Sequence, residues 1–120
     1  MKIFQAPIYQ KIVELYKALH LYRNLIPKQD RYVIWQKCEN IIIEILEHLL
    51  LTAQYAGELK IIELNNLSRK LNTLRVLIRL TKEIKIIDNK KYIRLQEIID
   101  EIGRMTGGWL KSLKQNTLED

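Results

Sequence analysis

The chain has 120 residues, 48% of them hydrophobic, with only four glycines and two prolines. That length supports one hydrophobic core, and the composition excludes disordered, collagen-like and disulfide-rich classes. A net charge of +6 and a pI near 9.5 point to a polyanionic partner such as RNA or DNA.

The lone cysteine, Cys38, rules out an intramolecular disulfide. The opening residues, MKIFQAPIYQ, carry no apolar stretch of signal-peptide length. The longest apolar run, Ile41 to Ala53, is interrupted by Glu44, Glu47 and His48. A bilayer span needs about 20 apolar residues, so a cytoplasmic location without membrane contact is expected.

Four helices are predicted, over 7–26, 30–56, 59–87 and 89–114. Pro7 suits a first helical turn, where its missing N–H costs nothing. From there Ile8, Ile12, Leu15, Leu19, Tyr22 and Ile26 recur at helical spacing. Pro27 closes the segment, because the residue before proline avoids the α region.

Asp30 is the expected N-cap of the second helix. Ile34, Cys38, Ile41, Ile45, His48 and Thr52 form one line on it. Trp35, Ile42, Leu46, Leu49 and Ala53 form a neighbouring one. Gly57 punctuates its end. The third helix carries Leu64, Leu67, Leu71, Leu74 and Ile78, with a second stripe of Leu77, Leu80, Ile84 and Ile87. Asp88 and Asn89 read as a turn and N-cap before a last helix with Leu95, Ile99, Ile102, Thr106, Trp109 and Leu113.

Strand alternation is absent, and the connections are short, so successive helices must run antiparallel. The expected fold is all-α: a single domain, 1–120, folded as an up-down-up-down four-helix bundle.

Enzyme chemistry is not legible. His20 has no acid or cysteine at ligand spacing, and His48 has only Glu44 four residues before it; two ligands do not close a metal site. No Glu-x-x-His motif repeats, as a di-iron bundle requires. No phosphate loop follows a strand, and no serine or cysteine is set up as a nucleophile. No catalytic residue, metal or cofactor is expected.

The positive charge is concentrated. Residues 69–94 hold nine Lys/Arg against only Glu83 and Asp88, a net of +7, whereas residues 1–59 are close to neutral. Arg75, Arg79 and Lys82 stand at i, i+4 and i+7, on one helical face, where like charges oppose helix formation. With Lys85, Lys90, Lys91 and Arg94 they form the candidate phosphate-binding set. Aromatic residues do not interleave with these bases, apart from Tyr92 just beyond them. That favours backbone contacts of low sequence specificity and high salt sensitivity.

The segment EIGRMTGGWLKSLK keeps helical apolar spacing although it holds Gly103, Gly107 and Gly108. Each glycine costs a helix interior about 1 kcal/mol against alanine. Gly103 and Gly107, four apart, give a side-chain-free strip beside Met105 and Trp109. Such a strip suits close packing, and the helix is expected to run through it to about Lys114.

The segment YIRLQEIIDEIGRMTGGWLKSLK resembles the last helix of a family of small bacterial four-helix proteins. That family includes the 23S rRNA intervening-sequence proteins and the accessory variability (Avd) proteins of diversity-generating retroelements. Tyr92, Leu95, the triplet Glu101-Ile102-Gly103, Gly108 and Trp109 carry the resemblance, together with the Arg75-x3-Arg79 pattern in LRVLIRL. It extends over about residues 6–114.

The resemblance implies a basic homopentamer of bundles that binds nucleic acid and assists a reverse transcriptase in mutagenic copying of an RNA template. It carries over to Arg75 and Arg79 residue by residue; the other five cations follow from charge alone. The alternative expectation is a protein–protein adaptor whose basic face docks an acidic partner.

Overall fold

The computed structural model describes residues 2–119, with side chains through 116. Four long helices account for most of it: α1 (Pro7–Tyr22), α2 (Gln36–Gln54), α3 (Glu58–Glu83) and α4 (Asn89–Glu119). No strand occurs among the described residues. Each helix packs on two neighbours in the cyclic order α1, α2, α3, α4. Contacts pair them in reverse chain order: Glu44 with Lys70 and His48 with Glu63 across α2 and α3, Arg75 with Asp100 and Lys60 with Trp109 across α3 and α4. The result is a four-helix bundle 52 Å long and 25 × 21 Å across.

Most of the predicted stripes meet along the bundle axis; the second stripe of the third helix does not, since Leu80 and Ile84 are exposed and the helix ends before Ile84. Ile12, Leu15 and Leu19 of α1, Ile41, Ile45 and Leu49 of α2, Leu64, Leu67 and Leu74 of α3, and Leu95, Ile99 and Ile102 of α4 are almost wholly removed from water. Burying such a side chain is worth about 1.5–3 kcal/mol each, far more than any propensity term in these helices. Cys38 lies in the same core, where burial pushes its thiol pKa up to about 12; it is a small apolar filler, not a nucleophile.

The ends of the helices are set by local chemistry. Pro7 occupies the first turn of α1. Helix α1 tightens into a 3-10 turn, Arg23–Leu25, before Ile26 turns extended ahead of Pro27.

Asp30 does not cap α2. Pro27 holds the capping position of a short turn, Lys28–Asp30, and the Asp30 side chain makes no capping bond. A π-helical turn, Arg31–Trp35, follows, in which the Gln36 N–H reaches back to the Arg31 carbonyl. Such a wide turn is uncommon and recurs at functional sites. Here Trp35 is fully buried and donates its Nε1–H to the Leu19 carbonyl at 3.0 Å, fastening the turn to α1.

Gly57 links α2 to α3 with φ of +62°, a conformation that L side chains adopt only with strain. Helix α3 ends at Glu83, ahead of the predicted 87. The Ile86 N–H bonds back to Thr81 and the Lys85 N–H to Lys82, the Schellman arrangement that closes a helix. Its left-handed position is Lys85, φ +63°, where glycine is usual.

Asp88 then caps α4, accepting the Lys91 N–H at 2.8 Å. Helix α4 runs unbroken through all three of its glycines and past the predicted end at 114.

Candidate nucleic-acid interface

The α3–α4 connection and the turns between α1 and α2 meet at one end of the bundle. Leu25 and Ile26 share a recess with Lys85, Asp88 and Lys91. The π turn packs on both α3 and the Arg23–Leu25 turn. Five of the seven predicted cations, Lys82, Lys85, Lys90, Lys91 and Arg94, lie around this end. Arg75 lies further along α3 on the side facing α4, and Arg79 stands one turn from it.

The seven differ in what they touch. Arg75 pairs with Asp100 at 3.1 Å and Arg79 with Glu83 at 3.1 Å. Lys91 pairs with Asp88 at 2.8 Å, and Arg94 approaches Glu14 to 3.9 Å. Lys82 rests over the Tyr92 ring, 4.5 Å from its centroid. Lys82, Lys85 and Lys90 form no ion pair within 4 Å among the described residues, although the Lys90 charge is felt at Asp88.

Exposed ion pairs add little to stability, but each cancels most of its own far field. Of the seven, Lys82, Lys85 and Lys90 therefore attract a phosphate most strongly at a distance. Three acids, Glu14, Glu44 and Asp100, pair with cations of the 69–94 window from outside it, so a count along the chain overstates its free charge.

Asp88 responds to its setting. Hydrogen bonds from the Lys91 ammonium and then its backbone N–H hold the Asp88 carboxyl below the usual carboxylate range. It stays ionised, capping α4 and holding Lys91 close.

Gly103 has a specific neighbour. A methyl group there would lie 3.3 Å from Arg75 Nη2 and 3.7 Å from Leu71 Cδ2. The missing side chain lets the Arg75 guanidinium lie across α4 and reach Asp100, while Gln96 donates to the Arg75 carbonyl at 3.1 Å. Arg75 is thus partly a strap between α3 and α4. Gly107 and Gly108 are exposed, and a methyl at either would meet nothing within 4 Å. Trp109 packs half-buried against the core, with Lys60 5.7 Å from its ring centroid.

Neither histidine joins a ligand cluster. His48 shares a 2.7 Å hydrogen bond with Glu63, and His20 stacks on Tyr16. Among the described residues no three His, Cys, Asp or Glu side chains gather to hold a metal, and no helix is long and apolar enough to cross a membrane.

The structure also brings in residues that the chain order hides. Arg23, Lys28 and Tyr32 belong to the near-neutral first half of the sequence, yet they reach the basic end through the turns between α1 and α2. Their only signal in the sequence was their place beside Pro27, at a chain reversal.

Neither the curated proteins nor the solved structures yield a match to this chain. A family model described as bAvd-like matches residues 7–113. That match spans nearly all of the bundle, from the first turn of α1 past the glycines of α4, and the chain belongs to the bAvd-like family.

Proposed function

We propose that this protein is a non-enzymatic, nucleic-acid-binding accessory protein that supports the reverse transcriptase of a diversity-generating retroelement. The observation that carries the reading is the group Lys82, Lys85 and Lys90, three cations at one end of the bundle that form no ion pair within 4 Å among the described residues. Membership of the bAvd-like family supports the link to a retroelement reverse transcriptase.

In this reading the lysines hold the phosphates of RNA or of an RNA–DNA hybrid, and the bundle presents the strand to the polymerase. Lys91 and Arg94 flank the site, while Arg75 and Arg79 stay paired with Asp100 and Glu83 along α3. Assembly as a homopentamer, which the family resemblance implies, is supported by apolar side chains at the end of α3, where Val76, Leu80 and the capping residue Ile84 are exposed four residues apart. Such a row suits a neighbouring subunit.

Titration of labelled RNA by fluorescence anisotropy at several salt concentrations tests the reading. The logarithm of the binding constant is expected to fall linearly with the logarithm of salt, with a slope implying several phosphates. Absence of binding at low salt would overturn it. The alternative would then lead: an adaptor docking an acidic protein, for which Leu25 and Ile84 beside the cations would supply apolar contact.

A further inference from the structure

Three tyrosines stand at the basic end, and each carries a cation against its ring. Lys91 lies 5.8 Å from the Tyr22 centroid, Arg23 lies 5.3 Å from that of Tyr32, and Lys82 lies 4.5 Å from that of Tyr92. Tyr22 and Tyr92 are half-buried, whereas Tyr32 is 56% exposed.

The Tyr32 pair is anchored from beneath. Arg23 donates from Nη1 to Glu39 Oε1 at 2.7 Å, and Glu39 is 5% exposed. A buried carboxylate is a poor source of stability, since an apolar residue would serve the core as well. What Glu39 does is fix Arg23, and Arg23 fixes the ring. Carboxylate, guanidinium and phenol ring form a stack that ends in an exposed aromatic surface. The π turn that carries Tyr32 is itself pinned by Trp35. On the same two packed turns, Leu25 and Val33 are 64% and 70% exposed.

A nucleic-acid duplex hides its bases and offers phosphates. It would neutralise the lysines and leave Tyr32, Leu25 and Val33 in water. An unpaired strand offers phosphates and bare base faces together, and base–aromatic stacking with cation–π support is how single strands are held without sequence preference. We infer that this end of the bundle binds unpaired nucleotides: Lys82, Lys85 and Lys90 take the backbone, and one base stacks on the free face of Tyr32. The inference rests on the nucleic-acid reading above and narrows it to single-stranded substrate.

The test compares a labelled oligouridine, which forms no duplex, with a labelled RNA duplex, each titrated against the full chain and three variants. Tyr32→Ala is expected to weaken oligouridine binding roughly tenfold, with the salt slope and duplex affinity unchanged. Tyr32→Phe keeps the ring and is expected to bind as the parent does. Glu39→Gln leaves Arg23 without its charged anchor and is expected to weaken oligouridine binding by a smaller factor. Helical circular dichroism and the melting temperature confirm that each variant is folded.

Equal losses for both ligands in Tyr32→Ala, or no loss for either, would overturn the inference and leave the nucleic-acid reading standing. Tight duplex binding with no oligouridine binding would do the same. If neither nucleic acid binds, or if only polyglutamate or anionic vesicles do, the broader reading falls and takes the inference with it.

Discussion

The side of α3 that faces α4 and the loop end of the bundle carry the same kinds of residue and do different things with them. Along the helix, Arg75 and Arg79 are neutralised by Asp100 and Glu83, and Arg75 lies over Gly103 as a strap. At the loop end, Lys82, Lys85 and Lys90 form no ion pair within 4 Å among the described residues, and Lys85 even occupies a left-handed position where glycine is usual. At the loop end the counter-charges reach only part of the set: Asp88 pairs with Lys91 and Glu14 approaches Arg94.

This contrast can be sharpened by mutation. The largest effect is expected from combining Lys82→Ala, Lys85→Ala and Lys90→Ala. RNA affinity should fall more than roughly tenfold and the salt slope should drop by about 2–3, since each lost phosphate contact removes about 0.7–0.9. Arg75→Ala with Arg79→Ala is expected to lower affinity less than about threefold, because exposed pairs are worth near 0–1 kcal/mol. Asp100→Asn, which frees Arg75, is expected to raise affinity by about twofold on the same grounds. Anisotropy titrations in matched salt check all three.

Stability separates the regions in the opposite sense. Lys85→Gly relieves the left-handed strain and is expected to stabilise the fold by about 0.5–1 kcal/mol while weakening RNA binding. Gly107→Ala and Gly108→Ala, with open space around them, should each add about 1 kcal/mol. Gly103→Ala should come out near zero, because the propensity gain is offset by displacing Arg75. Urea unfolding measures these. A loss of stability at Gly107 or Gly108 would mean that this face is covered in solution.

The smallest effect is expected from acid. Asp88 and Glu44 are held below the ordinary carboxylate range, Asp88 by hydrogen bonds from Lys91 and Glu44 by the hydrogen bond from Lys70. Their contribution is complete above the unfolded carboxyl pKa, about 4, and is lost as pH falls through their lower folded values. Melting temperature should therefore decline below about pH 4, and Asp88→Asn should make that decline shallower.

Much of the fold was legible because its determinants are local. Pro7, Pro27 and Asp88 act within one turn of themselves, and the apolar spacing alone names most of the core. The N-cap at Asp30 was misread because Pro27 already starts the helix three residues earlier. The candidate site was half legible. The run of cations is visible in the chain, but their neutralisation by Glu14 and Asp100 is not, since those acids come from other helices. Gly103 likewise has no meaning until Arg75, on a different helix, is laid across it. Tyr32 stayed hidden because its role comes from the turn it occupies and from Glu39 beneath Arg23.

The most direct test sets three salt slopes side by side: the parent chain, the Lys82/Lys85/Lys90 triple alanine variant and the Arg75/Arg79 double alanine variant, all titrated with the same unpaired RNA. The slope is expected to fall by about 2–3 in the triple variant and by less than about 1 in the double variant. A larger reduction in the double variant than in the triple would contradict this, and would move the nucleic-acid interface from the loop end to the α3–α4 edge.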